Sequence, residues 1–257
     1  MSIYQHFRKE EHAFIDKVLE WKDFVEEQYS PKLTDFLDPR EQEIIRQVVG
    51  TNAEIKVGFQ GGHESIERKR ALLYPSYFEP DISDFKLSLF ELVYPSKFVT
   101  IEHRHVLGSL MSIGLNRSKF GDILTEHDQI QIVVAEEVSD FIKLNLQSIG
   151  KASVTLKEHS FEKIICKTED WHEQSVTVSS LRIDVVMAAI FNLSRQKAQS
   201  FIQNNHVKVN WKVINNPAFE CGEQDVISVR GFGRSKVIRV EGKTKKEKWR
   251  IIVGKQK

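Results

Sequence analysis

Residues 179–217 read SSLRIDVVMAAIFNLSRQKAQSFIQNNHVKVNWKVINNP, and this stretch decides the organisation of the C-terminal third. Ser179 or Ser180 can cap a first helix, whose expected buried stripe is Leu181, Val185 and Ala188. Ser194 can cap a second helix with Ala198, Phe201 and Ile202 turned inward and Gln196, Gln199, Ser200 and Gln203 on the opposite side. Arg195 and Lys197 flank the start of that second helix. Free backbone N–H groups and the positive end of the dipole collect there, so two fixed cations beside them suit a phosphate.

Downstream the pattern changes from helical to alternating. In HVKVNWKV, Val207 and Val209 point one way while Lys208 and Asn210 point the other, with Lys212 close behind. A turn through Asn215-Asn216-Pro217 follows, and then DVISVRGFGRSKVIRV, where Ile227 and Val229 alternate with Ser228 and Arg230. Gly231 and Gly233 permit a tight turn or a close approach by a ligand, and Arg234 and Lys236 come directly after. The charge is divided along the chain. Residues 179–257 hold 16 Lys and Arg against 6 Asp and Glu, a net +10, while the rest of the 257 residues carries 21 basic and 30 acidic groups, a net −9. A chain of overall charge +1 therefore presents one end suited to a polyanion.

Ser194-Arg195, Lys197-Ala198, Phe201-Ile202, Val207-Lys208-Val209-Asn210 and Asp225 to Arg230 resemble, in order and spacing, the RNA-binding domain first seen in small-subunit ribosomal protein four. The resemblance implies a small α+β domain in which two short helices and a twisted sheet form a basic surface for folded RNA. It makes Arg182, Ser194, Arg195, Lys197, Gln199, Lys208, Asn210, Lys212, Arg230, Arg234 and Lys236 the candidate contacts.

The middle of the chain has its own order. Phe85–Tyr94 is a β-type run, Arg104–Ile113 is helical, Ile123-Leu124 and Gln129–Val134 are strands, Val138–Leu146 is helical, and Ala152–Leu156 is a last strand. That β-α-β-β-α-β sequence is a split βαβ sandwich, resembling ferredoxin-like and RRM-like families. The third strand, QIQIVVAE, has none of the aromatics on which RNA-recognition motifs stack bases, so the fold carries over and the mechanism does not. The connection GLNRSKFGDI, residues 114–123, is expected as an exposed loop with Gly121-Asp122 as turn chemistry, and adds Arg117 and Lys119 as candidate RNA contacts.

Toward the N-terminus, Phe7, Phe14, Val18, Trp21 and Val25 share a helix face that Pro31 ends. A second helix is expected from Asp38-Pro39, closed by Gly50. Ile55, Val57 and Phe59 alternate as a strand, and Glu64–Leu73, with Arg68-Lys69-Arg70, is expected as a solvated helix face. The expected fold class is α+β. It divides into an N-terminal helical or mixed domain at 1–80, an RRM-like sandwich at 81–158, a linker at 159–178 and the RNA-binding domain at 179–257.

With GGHESIERKRA, GLNRSKFGDI and the ending Arg230-Gly231-Phe232-Gly233-Arg234, the whole chain resembles the bacterial YlmH-like proteins. That resemblance implies structured ribosomal and transfer RNA and the large ribosomal subunit as partners, in translation or in rescue of stalled translation. Alternatives are an RNA-modifying enzyme with its site in the first two domains, or a cell-division-linked interaction scaffold.

An enzyme is not expected. Leu181-Arg182-Ile183-Asp184 is similar to the Arg-Leu-Asp motif of pseudouridine synthases, but lies inside the expected first helix without the large catalytic domain those enzymes need. No phosphate-loop or methyltransferase glycine pattern is present. His103-Arg104-His105 has no cysteine or third histidine close by in sequence, so no metal or other cofactor is expected. Cys166 and Cys221, without Cys-x-x-Cys spacing, are expected as small buried hydrophobes. The charged opening MSIYQHFRKEEH and the lack of a run of roughly 20 apolar residues give a cytoplasmic expectation with no membrane partner.

Overall fold

The computed structural model describes residues 3–7, 9–50, 54–166 and 171–256. The chain divides into two compact units, residues 1–167 and 168–257.

The first unit opens with helix α1 (His12–Gln28), followed by strand β1 (Lys32–Leu37), helix α2 (Pro39–Val49), strand β2 (Ile55–Gln60) and strand β3 (Lys69–Pro75). Helix α2 starts as its sequence foretells. The Asp38 carboxylate accepts the Glu41 N–H, the Glu41 carboxylate accepts the Asp38 N–H, and Pro39 occupies the first turn. The strand expected over Ile55, Val57 and Phe59 is β2, and it has a partner strand that the sequence reading did not name. Strands β1, β3 and β2 form an antiparallel sheet in that lateral order. Strand β1 escapes a periodicity argument because its pairing slips between Leu33 and Phe36, which spoils the alternation. The Glu64–Leu73 run is not a solvated helix face. Its end lies in β3, and Arg70 is buried, donating to the carbonyls of Thr34 and Lys86 and to the Glu137 carboxylate.

Next come strand β4 (Leu87–Val93), helix α3 (His103–Ser112), strands β5 (Phe120–Glu126) and β6 (Gln129–Ala135), helix α4 (Ser139–Asn145), the short strands β7 (Ser148–Ile149) and β8 (Ala152–Ser153), and strand β9 (Thr155–His159). The lateral order β5-β6-β4-β9, antiparallel throughout, is the split βαβ order expected from the sequence. One face of this sheet packs Phe90, Ile132 and Val134 against Val106, Leu110 and Ile142 of the helices.

The other face is the one an RNA-recognition motif would use, and it is covered. Leu89, Leu124, Val133 and Ala135 pack with Phe36 and Ile66 from the first 80 residues and with Ile164 and Ile165. Gln131 fastens the latter segment, donating to the Lys163 carbonyl and accepting the Ile165 N–H. The missing aromatics of QIQIVVAE thus have a packing reason: this strand is buried on both faces.

The second unit contains strand β10 (Trp171–Val178), helices α5 (Ile183–Phe191) and α6 (Arg195–Gln203), and strands β11 (Val207–Val209), β12 (Lys212–Val213), β13 (Val226–Val229), β14 (Gly233–Lys243) and β15 (Trp249–Gln256). They form a six-stranded antiparallel sheet in the order β10-β15-β14-β13-β11-β12. Within the span expected as a linker, Ile164 and Ile165 cover the middle sheet, and Trp171–Val178 is a strand paired along its length with β15. Gly254 lets this pairing close tightly, since a Cβ built there would lie 2.5 Å from the Cβ of Trp171. Ile183, Val186, Met187 and Ile190 of α5 and Ala198 and Ile202 of α6 pack on Val207, Val209, Ile227, Val229 and Val237.

Candidate nucleic-acid interface

Helix α5 is not capped by Ser179 or Ser180. Its N-cap is Arg182, and the first N–H groups are taken up from across the domain, Ile183 donating to the Phe219 carbonyl and Asp184 to the Pro217 carbonyl. This moves the buried stripe from Leu181, Val185 and Ala188, which are half-buried, to Ile183, Val186, Met187 and Ile190.

Asp184 falls on that buried stripe with no solvent exposure. Its carboxylate accepts from Arg182 Nε at 3.1 Å and a terminal Arg182 nitrogen at 3.2 Å, from Arg195 Nε at 2.9 Å and from Gln199 Nε2 at 2.8 Å. Burial raises the Asp184 pKa, but the bonds from Arg182, Gln199 and Arg195 outweigh it and hold the carboxyl at about 2. Three predicted contacts, Arg182, Arg195 and Gln199, are therefore gathered by an acid that the sequence reading left out. The signal was present: a single charge in the apolar run IDVVMAAIF. The Asp184 of the Leu181-Arg182-Ile183-Asp184 stretch is thus buried and engaged with three side chains of its own domain.

Ser194 does cap α6, its hydroxyl accepting the Lys197 N–H at 3.2 Å. Ser194, Arg195, Gln196 and Lys197 are all exposed, while Ala198 and Ile202 are buried beneath them. Arg195 is tied at Nε yet keeps 57% of its side chain accessible, so its position is fixed while much of its surface remains reachable.

The sheet residues form a second group. Lys208, Ser228 and Arg234 are cross-strand neighbours, and Lys236 lies two residues beyond Arg234 opposite Val226. They occupy the face turned away from the helices, because Val207, Val209, Ile227, Val229 and Val237 fill the other. The Arg234 guanidinium lies over the Trp211 ring, 5.6 Å from its centroid, another residue not picked out from sequence. Asn210 and Trp211, both at positive φ, make the tight turn between β11 and β12. The Asn210 side chain donates to Asp225 and accepts the Val226 N–H, so it holds the hairpin to β13; Lys212 follows at the start of β12. Arg230 is exposed in the β13–β14 turn, whose Phe232 packs edge-on against Phe191 and Phe201 of the two helices.

Arg117 and Lys119 stand apart in the first unit. The expected exposed loop is a short 3-10 turn, Arg117–Lys119, running into β5. Arg117 donates to the carbonyls of Phe120 and Gly121, and Lys119 pairs with Asp35 at 2.6 Å and Glu137 at 3.3 Å. Gly121-Asp122 is strand rather than turn. A Cβ at Gly121 would meet the Phe36 ring at 2.8 Å, and the Asp122 carboxylate accepts the N–H groups of Glu67 and Arg68.

Of the cysteines, Cys221 is buried, and burial pushes its thiol up to about 12. Cys166 is exposed instead, with Sγ 3.6 Å from His63 Nε2. Among the described residues, no helix is long and apolar enough to cross a membrane.

Comparison with known proteins accounts for nearly the whole chain. Residues 10–78 match the family described as "YlmH, N-terminal"; residues 80–163 match the family described as "Putative RNA-binding domain in YlmH"; and residues 181–227 match the S4 domain. A Bacillus subtilis protein named ribosome-associated protein quality control protein P2 is 49% identical over 256 residues, covering 100% of this chain and 99% of that one. The chain belongs to the YlmH family. A solved structure named cell division protein ylmH, from Streptococcus pneumoniae, aligns with a TM-score of 0.56 at 36% identity, covering 64% of this chain and all of that one. The small ribosomal subunit protein uS4 of Roseobacter denitrificans is 33% identical over 91 residues, 34% of this chain and 44% of its own. Family membership, the α+β fold and RNA-binding domains of the S4 and YlmH types agree with the sequence reading.

Proposed function

We propose that this chain acts by binding, not catalysis, and that in the cytoplasm it holds structured ribosomal or transfer RNA at the large ribosomal subunit while stalled translation is handled. The Asp184 cluster carries the reading. A wholly buried carboxylate fixes the guanidinium groups of Arg182, just before α5, and Arg195, at the start of α6, together with the Gln199 amide, within the residues that match an S4 domain. Arginines held in this way lose less freedom when they meet a phosphate. Arg195 and Lys197, with Arg182, Lys208, Arg230, Arg234 and Lys236, supply a salt-dependent affinity, while Ser194, Gln199, Asn210 and Lys212 set the frame. Arg117 and Lys119, engaged inside the first unit, hold that unit together. The name of the B. subtilis relative supports a ribosomal setting.

The test is co-sedimentation with purified ribosomal subunits across a salt series, wild type beside Arg195→Ala/Lys197→Ala. Salt-sensitive binding to the large subunit, lost in the folded variant, is expected. Wild-type binding to neither subunit would overturn the ribosomal reading, and equal binding by the variant would overturn this face.

The cell-division name of the S. pneumoniae relative favours one second reading, an interaction scaffold whose acidic first 178 residues meet a basic protein. A partner that stays bound after nuclease treatment would support it.

A further inference from the structure

The S4 match ends at residue 227, yet the sheet continues well past it. Strands β14 and β15 remain paired to Lys243 and Trp249, and β10 supports them on the other side, with Thr177 opposite Arg250 and Val178 opposite Trp249. The tip of this ribbon, KTKKEKWR at 243–250, carries Lys243, Lys245, Lys246, Lys248 and Arg250, all exposed. With Thr177 and Thr244 they line a groove beside the hairpin.

Acidic neighbours answer little of this charge. Glu247 pairs with Lys243 at 3.0 Å and Glu241 with Arg239 at 3.3 Å. Among the described residues, Lys245, Lys246, Lys248 and Arg250 form no ion pair. Four unanswered cations fall within six sequence positions at one hairpin tip, where like charges repel wherever they come within the screening length of about 8 Å at physiological salt. Such mutual repulsion on a well-paired ribbon favours binding of a polyanion.

We infer that the β14–β15 hairpin tip is a second RNA-binding site, separate from the Asp184 cluster, which takes the phosphodiester backbone without reading base sequence. The cations neutralise phosphates and the hydroxyls of Thr177 and Thr244 donate to their oxygens. Base stacking has no platform, since the one aromatic of the tip, Trp249, is half-buried with the Lys243 ammonium 5.7 Å from its ring centroid. A lipid surface fits less well because residues 241–250 expose no large apolar side chain to insert. The inference extends the proposed RNA binding to a surface outside the matched domain.

The test uses the full chain with two probes, deproteinised large-subunit ribosomal RNA and vesicles containing anionic phosphatidylserine. The variants are Lys245→Gln/Lys246→Gln/Lys248→Gln and, as a control of equal charge change, Lys56→Gln/Lys97→Gln/Lys151→Gln. Both are also made on the Arg195→Ala/Lys197→Ala background. Loss of up to three phosphate contacts is expected to flatten the slope of log affinity against log salt by about 2 to 3 and to weaken RNA binding about tenfold or more at fixed salt, the control changing neither. The same loss should appear on the Arg195/Lys197 background. If only the hairpin variant loses affinity, the hairpin site stands and the α6 face fails; if only the α6 variant does, the reverse holds. An RNA slope unchanged in the hairpin variant, an equal loss in the control, no RNA binding by wild type, or a loss confined to vesicles would each overturn the inference.

Discussion

Asp184→Asn keeps the shape of the side chain and removes its charge. In the native protein the carboxylate is wholly buried and accepts four hydrogen bonds from three residues. Burial alone would raise its pKa, yet the bonds from Arg182, Gln199 and Arg195 bring it to about 2 from an ordinary 3.8. At about 1.4 kcal/mol per unit, that depression corresponds to on the order of 2 kcal/mol of stability. A carboxyl whose folded pKa lies below its unfolded value contributes fully above the unfolded value and loses the contribution as pH falls through the folded one. The window therefore runs from about pH 4 down to about pH 2.

The variant is expected to be about 2 kcal/mol less stable than wild type at pH 7 in urea titrations, with the gap closing between pH 4 and pH 2. A gap below about 0.5 kcal/mol at pH 7, or one that stays constant through the acid range, would refute the anchoring role. RNA affinity adds a sign test. The substitution makes the protein more positive, so bulk electrostatics predicts tighter binding, whereas loss of Arg195 positioning predicts weaker binding.

Two further outcomes follow from the packing. Gly254→Ala places a Cβ against Trp171, so β10 must shift; a loss of about 1–3 kcal/mol is expected, together with faster hydrogen exchange at 171–178, and unchanged exchange would detach β10 from the sheet. Arg70→Met takes the buried guanidinium away from the Thr34 and Lys86 carbonyls and from Glu137, which keeps Lys119 as its other cation, and a loss of about 3 kcal/mol in the first unit is expected by denaturant titration; a loss under about 0.5 kcal/mol would make that network ornamental.

Legibility followed the range of the interactions involved. Local signals were read correctly: Asp38-Pro39 starting α2, Ser194 capping α6, and the alternation of Val207 and Val209. The strand order of the middle sheet followed from element order because few topologies obey the connection rules. What the sequence concealed was long-range. Strand β1 exists because β3 pairs with it, Arg70 is buried because three partners more than ten residues away receive it, and α5 starts at Ile183 because the 217–219 loop accepts its first N–H groups. The candidate contacts were chosen by residue type, which named Arg195 and Gln199 but passed over Asp184, the acid that both donate to, because a search for cations and amides does not select a carboxylate. The same criterion picked Arg117 and Lys119, whose partners are internal.

The covered face of the middle sheet has a consequence for the coding sequence. A gene fragment starting at residue 81 would leave out Phe36 and Ile66 and strip part of the cover from Leu89, Leu124, Val133 and Ala135, with Ile164 and Ile165 left to cover the rest, and exposed apolar surface of this kind makes polypeptides self-associate. Arg70, Arg68 and Asp122 stitch the same seam. Recombination between members of the family is thus constrained to exchange the first two family-matched segments as one cassette, without a breakpoint at residue 80.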